Sequence, residues 1–457
     1  RQNQQLPRTL VLSDFAEQKS AENLWPSVDY LLNKYRINRV IGVGRDIAGL
    51  KIHLSGDIRF HHFETAEQLI EQRESLGFHH ELILIKSARR YRLERLFHLL
   101  SLSRHDTLLE IDLKALVHNL SVYKSLVKPA TRLMAIVKAA SYGSGHYEVA
   151  QLLEQKQVDY LAVAYLDEGI LLRQKGIRTP IMVMNTATAD FRTLEDYHLE
   201  PEIFSLGQIS RLLQEIGPQR RFSIHIKLDT GMYRLGFMED ELEQLIHILQ
   251  TNPQLTVVSI FSHLSASDQE KFDDFTKEQA ARFERMSTQI LSALPNRPLR
   301  HLLNSGGIAR HPDLQYDMIR LGIGMYGIDP SLGPRLEKVH SLKTRISQIK
   351  PAVAGARVSY NRSGLLQKDG KIGILSIGYA DGLPRIAGLQ EYKVWLNRQR
   401  IPLIGVVCMD MCMIDLSEME HVAEGMEVEI FGKNAPVEEL AQASGTIAYE
   451  ILTRISG

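Results

Sequence analysis

The chain has 457 residues, 54 Lys+Arg against 54 Asp+Glu, and 44% apolar residues, which suits about two to four domains with ample core. The level charge argues against non-specific nucleic-acid binding and against an acidic surface partner. No apolar run approaches a membrane span, Arg1 opens no secretory pattern, and two cysteines cannot make a disulfide framework, so the expectation is a cytoplasmic protein with no membrane, nucleic-acid or metal partner.

The first segment, residues 1–104, reads as a small α/β domain. LVLSD, RVIGVG and ELILIK are strand-like, about three strands in all. NLWPSVDYLLNKY, TAEQLIEQRESLG and LERLFHLLS between and after them are helix-like. SRHD at 103–106 reads as a linker, and LLEIDL just beyond it has strand chemistry suited to pairing with a later β domain.

In residues 105–346, eight short apolar runs follow one another, separated by helix-like stretches: LMAIVK, YLAVA, PIMVM, EIFS, IHIKLD, VVSIFSH, RHLLNS and MIRLG. Strand alternating with helix eight times is the pattern of a (β/α)8 TIM-type barrel. Residues 347–457 change character, with short alternating runs between Gly, Asn and Asp turns, and read as an antiparallel β domain. In VVCMDMCMID, Cys408 and Cys412 are expected on one face of a strand. The chain begins without Met and stops on Gly457, as a piece of a longer polypeptide would.

A barrel of this kind carries its active site at the carboxyl ends of its strands. The residues there are Lys138, Lys227, Asp229, Arg234, His263, Asn304, Ser305 and Arg320. Singly, each has an ordinary reading. A rim lysine pairs with a carboxylate, a Lys-Asp-Arg group is a salt-bridge network, and a lone histidine is a satisfied rim residue. Desolvation can instead lower the Lys138 pKa, and a neutral amine there can form an imine with an aldehyde cofactor.

The surrounding strings sharpen the choice. MAIVKAASYGSGHY resembles the VKANAYGHG motif of alanine racemases, with Ala140, Ser141 and Ser144 at the differing positions. IKLDTGMYRLGF is similar to the family's KVDTGMGRLG, ARVSYNRSG to VSYG, SIGYADG to GYADG, and CMDMCM to CMDxxM. The resemblance spans about Thr107 to Gly457. It implies pyridoxal 5'-phosphate on Lys138. Tyr142, Ser305, Gly322 and Ile323 would take the phosphate, with Asn304 and Tyr379 also in the cofactor site. Arg320 would face the pyridine nitrogen, with His263 beside it. An arginine only donates, so that nitrogen would stay unprotonated and side reactions would be limited.

By the same resemblance, Tyr360 and Lys138 are the two bases for L-alanine and D-alanine. Arg234 and the Met409 N–H take the substrate carboxylate, Asp410 supports its loop, and Lys227 carries a possible carbamate that holds Arg234. The β-domain groups would enter the site of a second copy, making a homodimer with shared sites. Near the phosphate, the region of a family tyrosine is matched to ILTRISG, where Gly457 stands. Two other readings remain open: a different barrel-type pyridoxal enzyme, such as an amino-acid decarboxylase or a racemase for a larger amino acid, and a non-enzymatic cofactor carrier.

Residues 1–103 resemble a different family, the carboxyl-terminal domain of the ligase that joins D-alanyl-D-alanine to the UDP-N-acetylmuramoyl tripeptide. LVLSDFAEQ, RVIGVG and LILIKSARRYRLERL carry that likeness, with Lys86 and Arg89 in the matching region. It implies the carboxyl part of a ligase–racemase fusion serving peptidoglycan synthesis. Without a GxxxxGK[ST] loop, the ATP domain is expected to be absent and ligase activity with it.

Overall fold

The protein is described by a computed structural model covering residues 6–14, 24–78, 81–100, 106–216 and 221–455. It divides into two compact units, Arg1–His105 and Asp106–Gly457. Residues 15–18 of LVLSDFAEQ, 103–105 of SRHD, and Gly457 lie outside the described residues.

The first unit is a parallel sheet of β1 (Arg8–Ser13), β2 (Arg39–Val43), β3 (Arg59–Phe63) and β4 (Leu82–Lys86), in the order β3-β2-β1-β4. Strand alternation sends Val11 and Ile41 to one layer with Leu69 and Leu96, and Leu12 and Val40 to the other with Trp25 and Leu50. The sequence predicts about three strands, and the fourth is β3. Its RFHHF is an edge strand exposed along most of its length, so it carries no apolar alternation to read.

The second unit opens with β5 (Leu108–Ile111). The closed barrel follows: β6 (Arg132–Ile136), β7 (Tyr160–Val163), β8 (Ile181–Val183), β9 (Leu199–Ile203), β10 (Phe222–Lys227), β11 (Leu255–Phe261), β12 (Leu299–His301) and β13 (Met318–Leu321). Neighbours in the ring run parallel, and β7 and β8 are buried at every position. That explains why these strands read as continuous apolar runs rather than as alternation.

Next comes β14 (His340–Ala352), which pairs antiparallel with β5, with β17 (Gly370–Leu375) and with β21 (Glu427–Phe431). The expected boundary between 346 and 347 therefore falls inside one continuous strand. The sheet is completed by β18 (Lys393–Leu396), β19 (Gln399–Pro402) and β20 (Cys412–Asp415), with a two-residue pair, β15 (Arg357–Val358) and β16 (Gly364–Leu365), beside it.

The expectation for the cysteines needs correction. Cys412 opens β20, whereas Cys408 lies before it in a turn that its own N–H closes on the Met411 carbonyl at 2.8 Å. An Asp between two methionines supplied a polar turn residue within what reads as alternation. No helix among the described residues is long and apolar enough to cross a membrane.

Candidate active site

The carboxyl ends of the barrel strands enclose a cavity of about 420 Å³. Ten predicted residues line it: Lys138, Tyr142, Lys227, Arg234, His263, Asn304, Ser305, Arg320, Gly322 and Ile323.

Lys138 follows β6 by two residues and is half-buried. Burial lowers its pKa, and the charges of Arg234 and Lys227 lower it further. The chain then turns left-handed, with φ of 52, 50, 54 and 55° at Ala139, Ala140, Ser141 and Tyr142. Such a turn costs roughly 1–2 kcal/mol per non-glycine residue, and two hydrogen bonds hold it, one distant and one local. Ala139 N–H donates to Glu168 Oε1 at 2.6 Å and Ser141 N–H to the Val137 carbonyl at 3.0 Å. The turn brings the Tyr142 hydroxyl to the cavity wall, where a Cβ on Gly322 would stand 2.9 Å from it. Nothing in the sequence signals this handedness.

Ser305 Oγ accepts from the amides of Gly322 at 2.9 Å and Gly324 at 3.2 Å. The hydroxyls of Ser305 and Tyr142 beside this run of amides suit a phosphate. Sequence reasoning missed Tyr449. Its ring lies 6.1 Å from that of Tyr142, it lines the same cavity, and burial pushes its hydroxyl up to about 12. Tyr449 stands two residues before the string ILTRISG and eight before the Gly457 matched to that role. Asn304 lines the cavity but is engaged elsewhere. Its amide oxygen caps the helix Ser305–Arg310 through Gly307 N–H at 3.1 Å, and its Nδ2 donates to the Leu264 carbonyl at 3.2 Å.

Arg320 leaves β13 into the cavity floor and is buried. Nη1 donates to His301 Nδ1 at 2.8 Å, and Nη2 to the carbonyls of Ser262 at 2.6 Å and Leu302 at 2.9 Å. Nη2 also lies 3.5 Å from His263 Nδ1. Among the described residues Nε makes no hydrogen bond, which leaves one N–H uncommitted. Burial lowers the arginine to about 9, still charged at neutral pH. Burial and the surrounding cations, Arg320 foremost, hold His263 well below the usual histidine range.

Lys227 ends β10, and its Nζ donates to Glu202 Oε1 on β9 at 2.9 Å. Asp229 organises the following loop by accepting from Gly231, Met232 and Arg234 N–H at 2.7, 3.0 and 3.1 Å. Phe261 stacks on His301 at 4.8 Å and lies under both Lys227 and Arg320.

Five predicted residues do not line this cavity: Asp229, whose carboxylate turns into its own loop, and four on the β domain. Tyr360, Tyr379 and Met409 are 65%, 42% and 59% exposed on the β domain, with Asp410 exposed beside them. Hydrogen bonds to backbone carbonyls tie their loops together. Tyr379 N–H donates to the Cys408 carbonyl at 2.9 Å, Ala380 N–H to that of Met409 at 2.8 Å, and Ser359 Oγ to that of Val406 at 2.6 Å. The turn itself is braced by Asp381, which accepts from Gly378 N–H at 2.9 Å.

The donor set fits pyridoxal phosphate. A lysine of lowered pKa, a cluster of hydroxyls and amides, and a buried arginine with one uncommitted N–H line one cavity.

Residues 111–330 match the family profile described as alanine racemase, N-terminal domain, and residues 339–457 that of the alanine racemase C-terminal domain. The alanine racemase of Nostoc sp. is 36% identical over 358 residues, 75% of this chain and 92% of that one. A serine/alanine racemase of Enterococcus gallinarum is 34% identical over 76% of this chain and 50% of its own length. Solved alanine racemases of Clostridium difficile 630 and Streptomyces lavendulae superpose with TM-scores of 0.70 and 0.73, at 33% and 27% identity. They cover 77% and 78% of this chain and 93% and 96% of their own.

Proposed function

The chain belongs to the alanine racemase family of pyridoxal-phosphate-dependent isomerases, and on that premise we propose that it interconverts L-alanine and D-alanine using pyridoxal 5'-phosphate held by Lys138. The observation that carries this reading is the pairing of Lys138, its pKa lowered by burial, with Arg320 and its single uncommitted N–H in one cavity.

Pyridoxal phosphate, when bound, supplies an electron-withdrawing ring that acidifies the proton on the alanine Cα. Lys138 holds the cofactor and moves that proton on one face, taking it from D-alanine and returning it to make D-alanine. Arg320 would offer its uncommitted N–H to the ring nitrogen. Arginine cannot act as an acid there, so Arg320 would hold that nitrogen unprotonated. Tyr142, Tyr449, Ser305 and the amides of Gly322 and Ile323 bind the phosphate. Arg234 orients the substrate carboxylate, and His263 stays uncharged beside Arg320.

A base on the opposite face is needed for efficient inversion. Tyr360 is that base for L-alanine, and Met409 offers its N–H to the carboxylate, with Asp410 and Tyr379 in the same loop cluster. Their exposure outside this chain's own cavity supports a homodimer in which each β domain completes the site of a second copy.

The first unit is a ligase-like domain in this reading. Its parallel sheet and the RVIGVG and LILIKSARR strings favour it, and the chain carries no phosphate loop of the GxxxxGK[ST] type. D-Alanine made by the second unit would feed peptidoglycan precursors in the cytoplasm, where the free thiols of Cys408 and Cys412 would persist.

Circular dichroism of L-alanine incubated with the purified chain and pyridoxal phosphate tests the proposal. The signal decays to zero if it holds. A constant signal despite bound cofactor rejects alanine as substrate, and initial rates on serine, lysine and arginine then find the replacement.

A further inference from the structure

We propose that Glu202 is the resident anion of this site: it keeps Lys227 as an ammonium ion and stands in for a carbamate, so that Lys227 stays unmodified in this chain. The inference rests on the racemase reading.

Glu202 sits on β9 in register with His225 of β10, and its side chain is fully buried at the cavity wall. Oε1 accepts from Lys227 Nζ at 2.9 Å. Oε2 is buried and has no hydrogen-bond partner among the described residues. A buried carboxylate oxygen without a partner is costly, so it calls for a cation that arrives or reorients when the site is occupied. Arg234 fits. It lines the same cavity, its charge acts on Glu202, and among the described residues its guanidinium has no hydrogen-bond partner. Glu202 is the fully buried carboxylate among the cations Lys138, Lys227, Arg234 and Arg320. Burial raises its carboxyl pKa, and Lys227, Arg234 and Arg320 oppose that rise.

Carbamate formation needs a neutral amine. The nitrogen lone pair attacks the carbon of CO2, and the displaced N–H proton passes to water. An ammonium ion paired to a carboxylate has no lone pair to offer. A carbamate on Lys227 would also press a second anion against Glu202 in a buried site, where like charges repel. Glu202 therefore both blocks the modification and supplies the negative charge it would have brought, as a positioning residue for Arg234.

The experiment uses the full-length holoenzyme. Wild-type protein in 13C-labelled bicarbonate is expected to show no carbamate carbon by NMR, and its kcat/KM for alanine is unchanged in CO2-free buffer. Glu202→Gln is expected to lose at least about tenfold in kcat/KM through misplacement of Arg234. Bicarbonate then restores part of that loss, because Lys227 freed of its partner can take up CO2. Adding Lys227→Met abolishes the rescue.

A carbamate carbon or CO2 dependence in the wild type overturns the proposal. So does a Glu202→Gln enzyme with unchanged kcat/KM, or a folded one that bicarbonate cannot rescue. If Glu202→Gln does not fold, as judged by circular dichroism, the wild-type NMR decides alone. A wild-type chain inactive on alanine would sink the functional reading instead, and the NMR would still judge this one.

Discussion

Arg320 Nη1 lies 2.8 Å from His301 Nδ1, and this contact orders a chain of buried groups beneath the site. Arginine can only donate, so Nδ1 accepts and the His301 proton sits on Nε2, 2.7 Å from Ser259 Oγ. Ser259 then donates to His225 Nδ1 at 2.7 Å, and His225 Nε2 donates to Glu200 at 2.8 Å. His301→Leu leaves the guanidinium short of an acceptor in a dry interior and is expected to cost about 2–4 kcal/mol, with weaker cofactor binding. Ser259→Ala breaks the relay between neutral groups and is expected to cost about 1 kcal/mol. Urea unfolding of both variants measures the difference. Equal, small losses would show that the chain does not hold Arg320.

Acid should weaken the fold through its buried histidines. Burial holds His340, bonded to Ser144 at 2.7 Å, down to about 4, and keeps His263 and His301 well below the usual range. In the unfolded chain a histidine titrates near 6.5, so between the two values the unfolded state binds more protons. The stability due to neutral His340 is therefore fully present above about pH 6.5 and is lost as pH falls toward 4. That amounts to about 3 kcal/mol over the window. Denaturant midpoints at pH 7.5 and pH 5 check this: the wild type should fall, and His340→Gln should fall less.

Asn361 occupies the position where the family string VSYG has glycine, and its φ is 55°. Asn is among the few residues that enter this left-handed region readily. Asn361→Gly is expected to be near neutral, whereas Asn361→Val should cost about 1–2 kcal/mol and displace Tyr360 next to it. Thermal melts and kcat of the two variants separate these effects.

Much of the site was legible because each barrel strand ends where chemistry is expected, so Lys138, Lys227, His263, Ser305 and Arg320 could be picked from strand ends alone. What escaped depends on neighbours across the barrel. EIFS does not show that Glu202 meets Lys227, because that follows from pairing of β9 with β10. His225, Ser259 and His301 read as ordinary strand residues until the parallel strands bring them together, His225 level with Ser259 and His301 two residues further along. The left-handed turn after Lys138 leans on the distant Glu168 as well as on its own bond to Val137, with no glycine until Gly143 to announce it. The exposed edge strand β3 lacked any apolar period.

Substitution at the two bases should split binding from turnover. Lys138→Ala is expected to lose covalent cofactor attachment. Tyr360→Phe should keep the cofactor and lose about 10²–10⁴ in turnover, the usual worth of a general base. Cofactor absorbance and alanine racemisation, read on the same samples, distinguish them. A Tyr360→Phe enzyme of wild-type rate would remove the tyrosine from the mechanism.

The most direct test of the account mixes these two inactive variants. Each Lys138→Ala chain still offers Tyr360, and each Tyr360→Phe chain still offers Lys138. If every site takes one base from each of two copies, random reassortment of equal amounts gives about a quarter of wild-type racemase activity. Activity in a subunit-exchanged mixture that stays at the sum of the two variants alone would contradict a site shared between two chains.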